Sequence, residues 1–236
     1  MKIDQFKSIL YEKALKFNIV LEDKMLVDFY NYMNLLIKWN EKMNLTAILD
    51  PREIIEKHFI DSLSINKYIK SGDKVLDVGT GAGFPGIPLK ISKKDVDITL
   101  LDSLNKRINF LNVVIENLKL ENIETIHSRA EEFKKREVYD VVTSRAVSRM
   151  NVLLEYMLPF VKVGGICICM KSSEIEEEIE EAKNAIKILG GKVEKIDEFS
   201  LIDSDINRKI VVIRKVNKTP IKYPRKPGTP RKEPII

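Results

Sequence analysis

Lys74-Val-Leu-Asp-Val-Gly-Thr-Gly-Ala-Gly-Phe-Pro-Gly86 is the stretch that decides the fold. An apolar run ending at Asp77 predicts a buried parallel strand. Gly79, Gly81 and Gly83 predict a sharp turn whose backbone can come close to a ligand, because glycine tolerates a left-handed φ and carries no Cβ. A second strand, 97–101, leads into Asp102, 25 residues beyond Asp77. A carboxylate there can accept hydrogen bonds from a ribose diol. These features describe a cradle for a nucleoside cofactor, and so an enzyme rather than a scaffold. The bland alternative is a tight strand-to-helix turn with no ligand, which leaves the two spaced acids unexplained.

The spacing selects the nucleoside. Dinucleotide sites use G-x-G-x-x-G, in which the helix opened by the third glycine receives a pyrophosphate. This chain has G-x-G-x-G with an acid two positions ahead, the pattern of S-adenosylmethionine (SAM) methyltransferases. SAM has no pyrophosphate, and its zwitterionic end calls for an acid near the ammonium, here Asp77. Gly79 and Gly81 are expected to wall the methionine end, and Asp102 to meet the ribose. Ser103 either joins Asp102 or caps the next helix. Phe84 either packs against the sulfonium side or fills core behind the turn.

The 236 residues suffice for one large α/β domain with a small extension. No apolar run approaches the ~18 residues of a membrane span, and the first residues have no secretory h-region. A cytoplasmic protein without membrane attachment is expected. Cys167 and Cys169 alternate along one apolar strand and read as small core residues, and His58 and His127 are the only histidines, so no metal site is expected. The net charge of +5 is uneven. Between Arg214 and Glu233 stand eight Lys or Arg and one acid, whereas Glu174 to Glu181 contains six Glu. A basic end suggests a polyanionic partner, or else a merely solvated tail.

Periodicity predicts helices over 2–18 and 22–40, the latter with Leu26, Phe29, Tyr30, Met33, Leu36 and Ile37 on one face. A third helix is expected from Asp50, an N-cap followed by Pro51 and by Glu53 at capping-box spacing, to about Lys70. Strands are expected near 74–79, 97–101, 123–127, 139–144, 165–170, 192–199 and 209–215, with helices near 86–92, 104–119, 150–160 and 173–189. This alternation predicts an α/β fold, a class I SAM-dependent methyltransferase (Rossmann-like) architecture. Its seven-stranded sheet is mostly parallel and ends in an antiparallel edge hairpin. The expected division is an N-terminal helical extension (1–72), a SAM-binding core (73–216) and a basic, Pro-rich C-terminal arm (217–236), read as extended because it holds four prolines between Tyr223 and Pro234.

After the third strand, Ala130 and Glu131 stand where adenine contacts arise in this fold, or simply begin a helix. After the fourth, Arg145 stands where the acceptor must meet the methyl group. It either binds phosphate or a guanine edge, or forms an ion pair with a nearby acid. The Asn/Asp-Pro-Pro-aromatic motif of exocyclic amine methylation is missing there, and neither cysteine lies on a catalytic loop. Guanine N7 has a free lone pair and no proton, so its methylation requires no general base. Holding it in line with the methyl can supply ~7–11 kcal/mol of the barrier. His58 and Asp61 share a helix face. With Asn40, they either line the acceptor pocket or pin the helical extension to the sheet.

These segments together resemble the bacterial 16S ribosomal RNA guanine-N7 methyltransferases, the glucose-inhibited division protein B family. The resemblance runs through Trp39-Asn40, Asn44-Leu-Thr46, His58-Phe-Ile-Asp-Ser-Leu63, the glycine loop extended by Phe84-Pro-Gly-Ile-Pro88, Arg129-Ala-Glu-Glu132, Ser144-Arg-Ala146 and the tail Tyr223-Pro-Arg-Lys-Pro-Gly-Thr-Pro-Arg-Lys232. Ser128 departs from it, standing where Gly is expected. The resemblance implies methyl transfer from SAM to N7 of a guanine in a decoding-centre loop of 16S rRNA. It also implies that Gly79, Phe84, Ala130, Glu131 and Arg145 belong to the cofactor site. Lys222, Tyr223, Arg225, Lys226, Arg231 and Lys232 are candidate rRNA contacts. The partner is then 16S rRNA or the small subunit, and a monomer is expected. A small-molecule methyltransferase would need no basic tail. An NAD(P)-dependent oxidoreductase is opposed by the glycine spacing, and a non-catalytic RNA-binding module would bind SAM without transferring its methyl.

Overall fold

The computed structural model describes residues 1–145, 148–172, 175–201 and 206–236. Ala146, Val147 and Glu174, used in the sequence reading, lie outside the described residues. The described strands, β1 (Lys74–Val78), β2 (Asp97–Asp102), β3 (Ile123–His127), β4 (Tyr139–Ser144), β5 (Val161–Ser172), β6 (Gly191–Ser200) and β7 (Asn207–Lys215), form one sheet of order β3-β2-β1-β4-β5-β7-β6. Strands β1 to β5 run parallel, and β7 pairs antiparallel with β5 and β6. The predicted mostly parallel sheet with an edge hairpin is therefore present.

Side-chain alternation assigns the two faces. Ile166, Ile168 and Met170 of β5 enter one core, and Cys167 and Cys169 enter the other. Burial of each large apolar side chain contributes about 1.5–3 kcal/mol. Strand β5 begins at Val161, earlier than expected, because the backbone accommodates Gly164 at φ +89° and a close approach at Gly165. There a Cβ would lie 2.6 Å from the Asp140 carbonyl oxygen.

One face is covered by the N-terminal helices α1 (Ile3–Lys16) and α2 (Asp23–Met43) together with α5 (Gly86–Ser92) and α6 (Asn105–Leu118). Phe29, Tyr32, Met33 and Leu36 share a core with Val75 and Leu100 of the sheet, so the helical extension and the sheet are one hydrophobic body. Tyr32 is fully buried and donates its hydroxyl proton to the carbonyl of Ala82 in the glycine loop. The opposite face carries α7 (Met150–Glu155), α8 (Glu176–Ile188) and the C-terminal residues, which end in a short helix α9 (Thr229–Lys232).

The predicted single helix over 51–70 is broken. It divides into α3 (Pro51–Ile54), a π-helical turn (Ile55–Ile60), α4 (Asp61–Leu63) and a 3-10 turn (Asn66–Tyr68). Asp50 caps it as predicted, accepting from Arg52 N and Glu53 N, whereas Glu53 pairs forward with Lys57 at 2.6 Å. The wider π turn lets the Lys57 carbonyl, His58 and Asp61 converge on one arginine described below, in keeping with the frequent use of π turns at functional sites.

Candidate active site

The chain order reverses between β1 and β4, which opens a crevice at the carboxyl ends of the strands, where ligands bind in open α/β sheets. The glycine loop forms its floor. Gly79 (φ +68°) and Gly81 (φ +62°) adopt the left-handed conformation, and a Cβ on either would project into open space. Gly83 (φ +102°) serves packing instead, since a Cβ there would meet Ile87, the Tyr32 hydroxyl and Leu111 within 2.9 Å.

Asp77 is fully buried beneath this loop. Its Oδ2 accepts from Thr80 Oγ1 at 2.7 Å and Gly86 N at 2.9 Å, which ties the two ends of the turn together. Burial pushes its carboxyl up to about 6. Its Oδ1 and the hydroxyl of Thr143, its register partner on β4, are buried without hydrogen-bond partners. Asp77 thus ties the glycine loop together from beneath.

The crevice is a cavity of about 430 Å³ between Gly79, Asp102, Ser103, the segment Ser128 to Glu131, Ser144 and Tyr156. Asp102 accepts from Gly81 N at 2.9 Å, Leu104 N at 2.9 Å and Arg107 Nη1 at 3.2 Å. A carboxylate offers about four acceptor positions, so one stays open to a ligand hydroxyl. Ala130 opens a 3-10 turn, and Glu131 Oε1 accepts from Gly228 N at 3.1 Å. Open space above two left-handed glycines, a strand-end carboxylate and a segment able to flank a purine fit a SAM nucleoside.

Arg145 closes one end of β4 and is heavily engaged. Nη1 donates to the Lys57 carbonyl (2.9 Å) and Asp61 Oδ2 (3.1 Å), Nη2 lies 3.1 Å from His58 Nδ1, and the guanidinium sits 4.8 Å over the Phe84 ring. Phe84 is buried and stacks on His58 with ring centroids 4.4 Å apart. It packs among Tyr32 and Phe59, behind the turn rather than in the crevice. Arg208 Nε donates to Asp61 Oδ1 at 3.0 Å, so one buried carboxylate holds two guanidinium groups. Asn40 Oδ1 accepts from Thr46 N, and Thr46 Oγ1 contacts His58 Nε2 at 2.9 Å. Asn40, His58 and Asp61 thus pin the helices to the sheet through Arg145. Nothing in the sequence marked Arg208 for this cluster, since 147 positions separate it from Asp61.

Burial, and then the Arg145 charge, lower the His58 pKa to about 3. Nδ1 faces both the Arg145 guanidinium and the Lys57 carbonyl (3.2 Å), and Nε2 faces Thr46 Oγ1. The unfolded chain, with histidine near 6.5, binds more protons than the native state between about pH 3 and 6.5, so this group makes stability rise with pH across that window. Asp77 acts in the opposite sense between its ordinary value of 3.8 and about 6. The His58 ring resonances are expected to stay fixed from pH 5 to 8 by NMR. A midpoint near 6.5 would mean that Arg145 does not face Nδ1. His58→Gln is expected to flatten the acid limb of the stability curve.

The tail is not the predicted extended arm. Tyr223 and Ile235 are buried in the second core, and Arg136 donates to the Tyr223 carbonyl. Arg225 donates through its backbone N (2.8 Å), Nε (2.9 Å) and Nη2 (2.7 Å) to the fully buried carboxylate of Glu155. Lys215, also fully buried, is drawn down to about 8 by burial. Prolines and glycine set the turns, while tertiary partners that local composition cannot report hold the segment down. Of the candidate RNA contacts, Lys222, Lys226, Arg231 and Lys232 are exposed, Tyr223 is buried and Arg225 is committed to Glu155. Gly228 and Arg231 also reach the crevice wall, a placement the sequence did not signal.

Among the described residues, no helix is long and apolar enough to cross a membrane, and no group of three His, Cys, Asp or Glu is arranged to hold a metal ion. The fold is similar to that of M. jannaschii TYW2 in complex with AdoMet (TM-score 0.56, 18% identity, 67% of this chain and 76% of that one). It is also similar to Trm5b from Pyrococcus abyssi (TM-score 0.54, 16% identity, 66% of this chain and 48% of that one). In sequence, the chain is 53% identical over 236 residues to the ribosomal RNA small subunit methyltransferase G of Acetivibrio thermocellus, covering 98% of this chain and 97% of that protein. It is 49% identical to the protein of the same name from Alkaliphilus metalliredigens, covering 97% and 98%. The family model GidB, rRNA small subunit methyltransferase G, matches residues 25–210. With that match spanning most of the chain and relatives aligned almost end to end, the chain belongs to the GidB family of rRNA small subunit methyltransferases G.

Proposed function

We propose that this chain transfers a methyl group from SAM to N7 of a guanine in a decoding-centre loop of 16S rRNA. The crevice at the reversal of strand order carries this reading, because it joins a glycine floor, a strand-end carboxylate at Asp102 and the Ala130–Glu131 segment in one cavity. SAM supplies an electrophilic methyl on a sulfonium. The lone pair of N7 forms the new N–C bond as the C–S bond breaks, its electron pair goes to sulfur, and the base gains the positive charge. No proton moves. The nearby histidine is accordingly held neutral with both ring nitrogens in contact with protein groups.

Gly79, Gly81 and Asp102 hold the nucleoside donor, with Ala130 and Glu131 along the purine. Arg145 keeps the His58–Phe84 stack in place behind the glycine loop and orients the acceptor from the end of β4. Lys222, Lys226 and Lys232 meet phosphates, each neutralised phosphate steepening the salt dependence by roughly 0.9 or less. The target base must be unpaired or flipped to reach the crevice. The enzyme acts in the cytoplasm as a monomer. Incubation with labelled SAM and unmodified small subunits, followed by mapping of the label, is expected to mark a single guanine. Label on another nucleotide, or on protein alone, would reject this acceptor.

A further inference from the structure

We propose that the C-terminal segment is a structural wall of the cofactor site, with the Arg231 side chain touching the nucleoside end of bound SAM. Gly228 and Arg231 line the same cavity as Gly79, Asp102 and Glu131, although they come from a part of the chain beyond the family match, which ends at residue 210.

The wall is built and anchored. Gly228 turns the chain at φ +83° and donates its N–H to Glu131 Oε1, so the tail itself orients the glutamate that flanks the purine. Pro230, in the short helix that also carries Arg231, is buried. On one side of this turn Arg225 grips Glu155, and on the other Ile235 is buried and the Ile236 carbonyl accepts from Asn184. Arg231 and Glu131 both act electrostatically on Tyr156, a third lining residue, with opposite signs. A planar guanidinium in this position suits stacking on a purine or donating to its ring nitrogens. The basic tail therefore does more than meet polyanion, because different residues within it face two different ligands.

The test uses the full-length protein, calorimetry with S-adenosylhomocysteine, and limited trypsin digestion. Arg231→Ala is expected to weaken S-adenosylhomocysteine about tenfold, the loss of one charge-assisted contact, with an unchanged unfolding midpoint. Lys218→Ala, an exposed lysine of the same segment outside the cavity lining, should bind as the wild type does. S-adenosylhomocysteine should also slow trypsin cleavage after residues 225–232 in the wild-type protein. Unaltered affinity in Arg231→Ala, an equal loss in both variants, or absence of protection would each overturn the wall. Failure of the wild-type protein itself to bind S-adenosylhomocysteine would instead strike at the crevice as the SAM site.

Discussion

Replacing Arg225 by Ala is expected to lower the free energy of unfolding by about 3–5 kcal/mol, the usual consequence of removing one partner from a buried ion pair. For a chain of this size that is a fall of roughly 10 °C in the melting midpoint. The physical cause is Glu155. Its carboxylate is fully buried on α7 and receives three donors from Arg225, two from the guanidinium and one from the backbone. Alanine keeps the backbone donor and strands the charge. Replacing both partners by apolar residues, Arg225→Met with Glu155→Leu, should recover much of the loss. Thermal melts of the wild type, the single variant and the double variant provide the measurement. An unchanged midpoint together with weakened rRNA binding would show instead that Arg225 faces the polyanion.

Arg145→Ala is expected to reduce methyl transfer by at least about 100-fold, because a displacement of around 1 Å at a positioning group has an effect of that order. The residue holds the Lys57 carbonyl, Asp61 and His58 in one place and rests on Phe84 behind the glycine loop. Stability should fall by about 1–3 kcal/mol, since Asp61 keeps its second guanidinium from Arg208. Arg145→Lys retains the charge and loses the planar fork, so it should recover part of the stability and little of the transfer. Single-turnover rates with saturating SAM separate the two effects. Undiminished turnover in the folded Arg145→Ala protein would remove Arg145 from the site and leave it a pin between helix and sheet.

The two arginines mark where linear reading stops. The strands and most helices were legible because alternation and 3.6-residue periodicity are local, and the G-x-G-x-G turn was legible because glycine suits two left-handed positions facing open space. Tyr32 was missed on α2 because its target, the Ala82 carbonyl, lies 50 positions away. The single third helix was wrong because helix-forming residues do not reveal a π turn. That turn is held by Arg145, just past the end of β4 and 88 positions from Lys57.

By itself the sequence determined the α/β architecture, the edge hairpin and the SAM-type turn, all properties of residue type at short spacing, and its motifs from Trp39 to Lys232 carried the resemblance to the family. Only the tertiary structure decided what each charged group faces. It turned Asp77 beneath the loop, gave Arg145 to His58 and Asp61, and folded a basic tail onto Glu155 and the crevice. The reason is physical. A side chain's chemistry is written in its own position, whereas its partner is chosen by burial, which expels water and forces each charge to find an opposite one from whatever part of the chain packs against it.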